Sequence, residues 1–472
     1  MPEVPQTANA AEEAAKLGRL SRASTGRGAG WEQWVLALAI GGIVAAPYAT
    51  LTLPYRSALK TQASVVLAFA LIPLVAGLLR RGWWRRILTA PRSIIVGIVM
   101  FVAATLLGTA VGLLRANDHA FVAGQLLSMG LLPLGVVAGL ALAGGNLWRG
   151  YVLGIVGSVG VASCVHLGCW VFGAGVDPTY GRFFFSNKAS PASPALIAVN
   201  LALAAALWDR RWVRWASLPA IVATLLLILG SAMRSLWLVT APSVIGVALA
   251  SSGLRRLATH RVTRRIALAA LVAAAAFVGL AVLSRHSHEN SPRSVFSRLA
   301  KEASYLVIRA RTLTQLVGGA NQDPDNPLAY RREETQFLLE TFRCAPLPAE
   351  LFGHGLGFTF TSKNLGYDEA DGLAPGHPTN YIHNYYVFLL VKLGLFGGLA
   401  IVLALTLWTA WSLRAALACS HEPAKTFLLA ATAAWVAGLV WSLACPELVD
   451  FRMAPLWGYL LAASVDATHR DR

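Results

Sequence analysis

The chain has 472 residues, 56% of them hydrophobic and only 13% charged, with a mean hydropathy of +0.57. Soluble domains carry about 25% charged residues, so a water-soluble fold is excluded, and the apolar runs are continuous rather than alternating, which excludes a β-barrel. The net charge of +17 would suit nucleic acid, but most of it lies in short connections between apolar runs, where positive charge sets orientation in a membrane; no nucleic-acid partner is expected.

In chain order, residues 1–33 are polar and rich in Ala and Gly. With no short apolar core before a small-residue cleavage site, they read as a tail rather than a signal peptide. Twelve apolar runs follow, at about 34–53, 64–79, 94–114, 120–143, 150–173, 191–207, 216–230, 235–250, 266–283, 384–411, 426–445 and 452–466. Runs of this kind match the roughly 17 to 25 residues that cross a hydrocarbon core of about 30 Å. The expected fold is therefore an all-α polytopic bundle of about twelve transmembrane helices. Nine occupy 34–283, a loop domain fills 284–383, three more occupy 384–466, and 467–472 is a short tail. The runs at 216–230 and 235–250 are short and meet around Arg234, so they read as a discontinuous pair, which is tolerated at depth where protein or a water-filled cavity surrounds it.

Arginine clusters fix the expected orientation. Arg80-Arg81, Arg85-Arg86, Arg210-Arg211, Arg255-Arg256 and Arg264-Arg265 all fall on one side, which is then cytoplasmic together with both termini. The other side has single cations such as Arg56, Arg115, Arg182, Arg234 and Arg452, and also the long 284–383 connection. In that connection Val295, Phe296, Leu299, Ala303, Leu306, Ala310, Leu313 and Leu316 recur at helical spacing. A second helix is expected over Arg331–Phe342, followed by the turn Gly353-His354-Gly355-Leu356-Gly357 and a loop through Asp368, Glu369 and Asp371. This makes a small helical cap on the outer face. The first helix could present Arg298, Lys301, Arg309 and Arg311 to lipid phosphates, although a solvated face is the plainer reading.

The five cysteines, Cys164, Cys169, Cys344, Cys419 and Cys445, form no metal-type cluster and read as small core residues. Asp323-Pro324-Asp325 lies in a string of turn formers, and the first outer loop, about 54–63, has no Asp or Glu. His286, His288, His354 and His377 sit at interfaces or in loops. No metal and no cofactor are expected.

Three residues on the outer side carry the chemistry. Arg234, at the break between two apolar runs, has no carboxylate near it in sequence, so an anionic ligand or simple snorkelling to water would explain it. Arg182 sits in Tyr180-Gly181-Arg182-Phe183, where a solvated loop arginine is the plainer reading. Two guanidinium groups on one side could nonetheless grip a diphosphate by paired hydrogen bonds. His383 opens the tenth run, where the positive end of a helix dipole favours the neutral imidazole that a general base needs, although a histidine hydrogen-bonded at the membrane interface is the plainer reading of its position. Gly394 lies about three turns further on and, with Gly397 and Gly398, would let a neighbouring helix approach closely.

The string His383-Asn384, nine residues, then Gly394-Leu395-Phe396-Gly397-Gly398 resembles the signature His-[Asn/Ser/Gln]-x9-Gly-x-x-Gly of bacterial O-antigen ligases, relatives of O-antigen polymerases and protein O-oligosaccharyltransferases. Gly181-Arg182 and Ser231-Ala232-Met233-Arg234 extend the resemblance. It implies metal-independent, inverting transfer of a glycan from an undecaprenyl pyrophosphate carrier to a sugar hydroxyl of lipid A–core, at the periplasmic face of the bacterial inner membrane. His383 would be the base, Arg182 and Arg234 would bind the pyrophosphate, and Asn384 would contribute to binding. Arg332 would match a further loop arginine, with its neighbour Arg331 an equal candidate. The non-enzyme alternative, a lipid-linked oligosaccharide flippase, calls for ionisable groups through several spans.

Overall fold

A computed structural model describes residues 30–48, 55–144, 146–172, 192–206, 211–230, 234–259, 327–361, 378–379 and 381–468. Arg182, the ninth apolar run, the 295–317 stretch, the 368–371 loop, Asp323, Asp325, His286, His288 and His377 lie outside the described residues.

The described chain is nearly all helical. Its helices are α1 (Trp31–Ala45), α2 (Tyr55–Leu78), α3 (Trp83–Leu88), α4 (Arg92–Leu114), α5 (His119–Leu142), α6 (Leu147–Phe172), α7 (Ala192–Ala206), α8 (Arg211–Gly230) and α9 (Arg234–Thr259). They continue with α10 (Pro327–Arg343), α11 (Leu347–Phe352), α12 (Tyr385–Ala418), α13 (Glu422–Trp441) and α14 (Ala454–Thr468). Two-residue strands β1 (Phe360–Thr361) and β2 (Pro378–Thr379) pair antiparallel, Phe360 opposite Thr379. Six helices are long and apolar enough to cross a membrane: Leu59–Leu78 within α2, α4, α5, Leu147–Val165 within α6, α12 and α13. Four more are apolar but shorter. Helix is what such sequences must form, because hydrocarbon offers no partner to a backbone N–H or C=O.

Small residues and tryptophans set the packing. α5 lies against α14 so closely that a Cβ on Gly458 would stand 2.3 Å from the Leu132 carbonyl oxygen, the kind of approach that glycine permits at helix crossings in lipid. Trp408 of α12 packs its indole over Gly97 of α4 and donates Nε1–H to the Ile94 carbonyl at 3.2 Å. The rings of Trp408, Trp435 and Trp457 follow one another at 6.1 and 5.8 Å between centroids, linking α12, α13 and α14. Buried Asp466 accepts from Gly144 N–H at 3.0 Å and Leu147 N–H at 2.7 Å, which satisfies donors at the start of α6 that would otherwise be orphaned.

The structure departs from the sequence expectation at several points. Residues 55–63, expected as loop, already belong to α2, because Tyr55–Gln62 continues the helix without a Gly or Pro to stop it. The pair expected to be short comprises helices of 20 and 26 residues, α8 and α9. Trp237 Nε1–H donates to the Ile228 carbonyl at 2.7 Å and ties their facing ends. The Arg-rich connection before α4 contains the short helix α3. The second loop helix is longer than expected, running Pro327–Arg343.

α12 has the most consequential departure. Within its 34 residues Gly394 is not helical, at φ 67° and ψ −170°. Before the break, Tyr385, Phe388, Val391, Lys392 and Leu393 are buried in protein; after it, Leu395, Phe396, Leu399, Leu403, Leu413 and Leu417 are exposed. The helix is therefore a short protein-enclosed segment followed by a long one with an open apolar face. Gly394 does admit a close neighbour, the end of the short helix α11 and the turn that follows it: a Cβ there would lie 2.3 Å from Gly353 N and 2.6 Å from the Leu351 carbonyl group.

Candidate active site

The site is built at the start of α12. Asn384 is the N-cap, its Oδ1 accepting from Tyr386 N–H at 3.0 Å and Val387 N–H at 3.3 Å. This capping role accounts for an Asn just before a long apolar helix and leaves the amide nitrogen as the end of the side chain not used by the cap. His383 precedes the cap. Its ring and the exposed ring of Tyr381 stand edge to face, 4.9 Å between centroids at 88°.

Behind the imidazole lies a residue that the sequence reading did not single out. Glu334 of α10 is 0% exposed while His383 is 21% exposed. Its two carboxylate oxygens stand 3.3 and 3.1 Å from His383 Nδ1, and one of them also accepts the His383 backbone N–H at 3.2 Å. The nearest charge to the ring is thus a carboxylate, in addition to the helix dipole. α10 holds this position because its buried Leu338 packs into the core and Phe337 meets Phe360 of β1 at 6.3 Å. The strand pair in turn fixes Thr379, whose Oγ1 accepts from Tyr381 N–H at 3.3 Å. A signal for Glu334 exists in the sequence: it occupies the apolar face of an amphipathic helix, in step with Phe337, Leu338 and Thr341, where a carboxylate needs a partner. Arg331, one turn before Glu334, is half-buried on that same face, whereas Arg332 is exposed.

α9 reaches the same place. Its second residue, Ser235, accepts the Trp441 Nε1–H at 3.1 Å, and the next residue, Ser442, accepts the Tyr385 N–H through its carbonyl at 2.9 Å. Ser235 and Tyr385, the residues that follow Arg234 and the His383-Asn384 pair, therefore meet the same Trp441-Ser442 junction at the end of α13, although they lie far apart in sequence.

Beside this region the Gly353–Gly357 turn plugs the break in α12. His354 N–H donates to Val391 O at 2.8 Å, Gly355 N–H to Lys392 O at 2.9 Å and Leu356 N–H to Gly108 O at 2.8 Å. The first two bonds satisfy carbonyls that the broken helix leaves open, and the third ties the turn to α4. Gly353, Gly355 and Gly357 all have positive φ, between 77° and 84°. Asn117 Nδ2 donates to the His354 and Leu356 carbonyls at 3.0 and 2.9 Å, and Gln125 Oε1 accepts from Gly357 N–H at 2.7 Å. Lys392 is fully buried, donating to the Phe358 carbonyl between the rings of Phe358 and Phe388. His354, read from sequence as uninformative, accepts from Arg115 at its Nδ1 over 3.4 Å and stacks on Phe358 at 4.5 Å. Burial, and then the charges of Arg115 and Lys392, lower its pKa from the ordinary histidine value.

Among the described residues, no group of three or more His, Cys, Asp or Glu side chains is placed to hold a metal ion. Of the cysteines read as small core residues, Cys419 is buried and Cys445 half-buried, whereas Cys164 and Cys344 are exposed rather than in the core.

Residues 219–402 match the family described as O-antigen ligase. The matched stretch contains Arg234, Arg331, Arg332, Glu334, His383 and the Gly394 break, while Arg182 precedes it. A search of curated proteins gives no match.

Proposed function

We propose, from the match of residues 219–402 to the O-antigen ligase family, that this membrane protein transfers a glycan from undecaprenyl pyrophosphate to a sugar hydroxyl of lipid A–core. The reaction takes place at the periplasmic face of the bacterial inner membrane. His383 removes the proton of the acceptor hydroxyl as its oxygen attacks the anomeric carbon. The bond from that carbon to the pyrophosphate oxygen breaks, and the carrier leaves as its pyrophosphate. A single displacement from the opposite side inverts the anomeric centre.

Charge develops on the leaving pyrophosphate, and donors already in place stabilise it best. Arg234 and Arg182 fill that role without a metal. Of the two adjacent loop arginines, the face shared with Glu334 favours Arg331 over Arg332 as a further anion contact. The Asn384 amide nitrogen is left to orient a substrate oxygen.

The observation that carries this reading is the convergence of Ser235 and Tyr385 on Trp441-Ser442, which supports a common site for Arg234 and His383. Replacing Arg234 by alanine is the test. A hydrogen bond to a charged group contributes about 1.5 to 3 kcal/mol, so the donor KM is expected to rise by roughly ten- to a hundredfold. The acceptor KM should hold, and chelator should leave the wild-type rate intact. An unchanged donor KM would remove Arg234 from the site, and a strict need for a divalent cation would replace the arginines as the means of charge stabilisation.

A further inference from the structure

We infer that Glu334 is a positioning residue for the reaction, holding the Nδ1 edge of His383 so that Nε2 faces the acceptor hydroxyl. The inference rests on the proposed reading of His383 as the base and names what makes that base effective.

An ionised carboxylate can only accept hydrogen bonds. With both oxygens of Glu334 within 3.3 Å of Nδ1, that nitrogen carries the proton of the neutral ring. A neutral imidazole has one N–H, so the lone pair is on Nε2. The exposures agree: the Glu334 side is enclosed at 0%, and the histidine, 21% exposed, keeps its opening away from it. Because one carboxylate oxygen also holds the backbone N–H of His383 at 3.2 Å, ring and main chain are gripped together, and rotation of the imidazole is restricted.

The energetics distinguish this from a simple staple between α10 and α12. Against a neutral ring Glu334 is a hydrogen-bond acceptor. When Nε2 takes the acceptor proton the ring becomes cationic, and the same contact gains the attraction of opposite charges. The interaction is stronger in the transition state than in the ground state, which is the condition for accelerating the chemical step. Glu334 itself takes no proton: that proton moves from the acceptor oxygen to Nε2, and the electron pair leaves with the pyrophosphate. The other buried carboxylate among the described residues, Asp466, differs in kind, since it accepts from backbone N–H groups at a helix start.

The experiment compares full-length Glu334→Gln, Glu334→Asp, His383→Ala and the double variant His383→Ala/Glu334→Gln in one reconstituted transfer assay. Glu334→Gln is expected to lower kcat by about ten- to a hundredfold with both KM values within about twofold, a split that marks a contact made in the transition state. Glu334→Asp should recover part of the loss. The double variant should be no slower than His383→Ala, because residues that act as a unit are not additive. Wild-type kcat in Glu334→Gln, or a further loss on top of His383→Ala, would overturn the inference. Nitrogen NMR of the wild-type protein with labelled histidine gives an answer that needs no variant to fold: the Nδ1–H tautomer is expected at His383, and an Nε2–H tautomer would overturn it. If His383→Ala keeps full turnover, the reading of the base fails, while the tautomer still decides the Glu334 contact.

Discussion

Replacing His383 by alanine is expected to lower glycan transfer by about 10²- to 10⁴-fold, the range that a positioned general base contributes. The donor KM should stay near its wild-type value, because the proposed reaction assigns the pyrophosphate to the guanidinium groups rather than to the imidazole. The fold should survive as well. His383 lies outside α12, ahead of the cap, and the cap belongs to Asn384, so alanine at 383 removes no helical hydrogen bond. What it leaves behind is the buried Glu334 carboxylate with one partner fewer. Pairing the change with Glu334→Gln relieves that cost and separates lost stability from lost chemistry. Turnover in His383→Ala within a fewfold of wild type, from protein that unfolds at the normal temperature, would remove the imidazole from the mechanism.

Gly394→Ala is expected to destabilise the protein by roughly 3 kcal/mol or more, the upper range for backbone strain at a single residue. The glycine has φ 67° and ψ −170°, a conformation that side-chain-bearing residues essentially do not adopt. Its new Cβ would stand 2.3 Å from Gly353 N and 2.6 Å from the Leu351 carbonyl group. These are backbone atoms of a turn pinned by His354 N–H to Val391 O and Gly355 N–H to Lys392 O, so they cannot move aside as a flexible side chain would. Gly398→Ala is the control: its Cβ would meet the nearest atom at 3.5 Å, an ordinary contact, and it should be nearly neutral. Thermal unfolding of the two variants in the same detergent checks the contrast, and equal midpoints would show that the Gly353–Gly357 turn does not depend on the break.

The sequence made the membrane helices legible because their signal is local. Apart from the ninth run, which lies outside the described residues, each expected run falls on a described helix. Misjudged ends, as at residues 55–63 and in α8 and α9, reflect helix that continues into less apolar sequence, which hydropathy alone does not mark. The His383-Asn384 and Gly394 motif was also legible as a string, and Asn384 shows why a string is not yet a mechanism: the same residue has an evident capping role. The purpose of Gly394 could not be read, since it depends on a turn some forty residues earlier that inserts at the break. Glu334 and Lys392 were passed over for the same reason. A carboxylate on the apolar face of α10 and a lysine inside an apolar run both conflict with local pattern, and such conflicts mark positions where distant contacts decide. Lys392 is an ionisable group inside an apolar run, the kind of residue that a flippase would place along its path. It is enclosed by Phe358 and Phe388 rather than lining a path.

The most direct measurement follows one purified undecaprenyl-pyrophosphate glycan incubated with the reconstituted protein and lipid A–core in the presence of chelator. The account predicts that the glycan becomes joined to the acceptor with its anomeric configuration inverted and that undecaprenyl pyrophosphate is released in equal amount. Donor that crosses the bilayer chemically unchanged, or a product that retains the anomeric configuration, would contradict it.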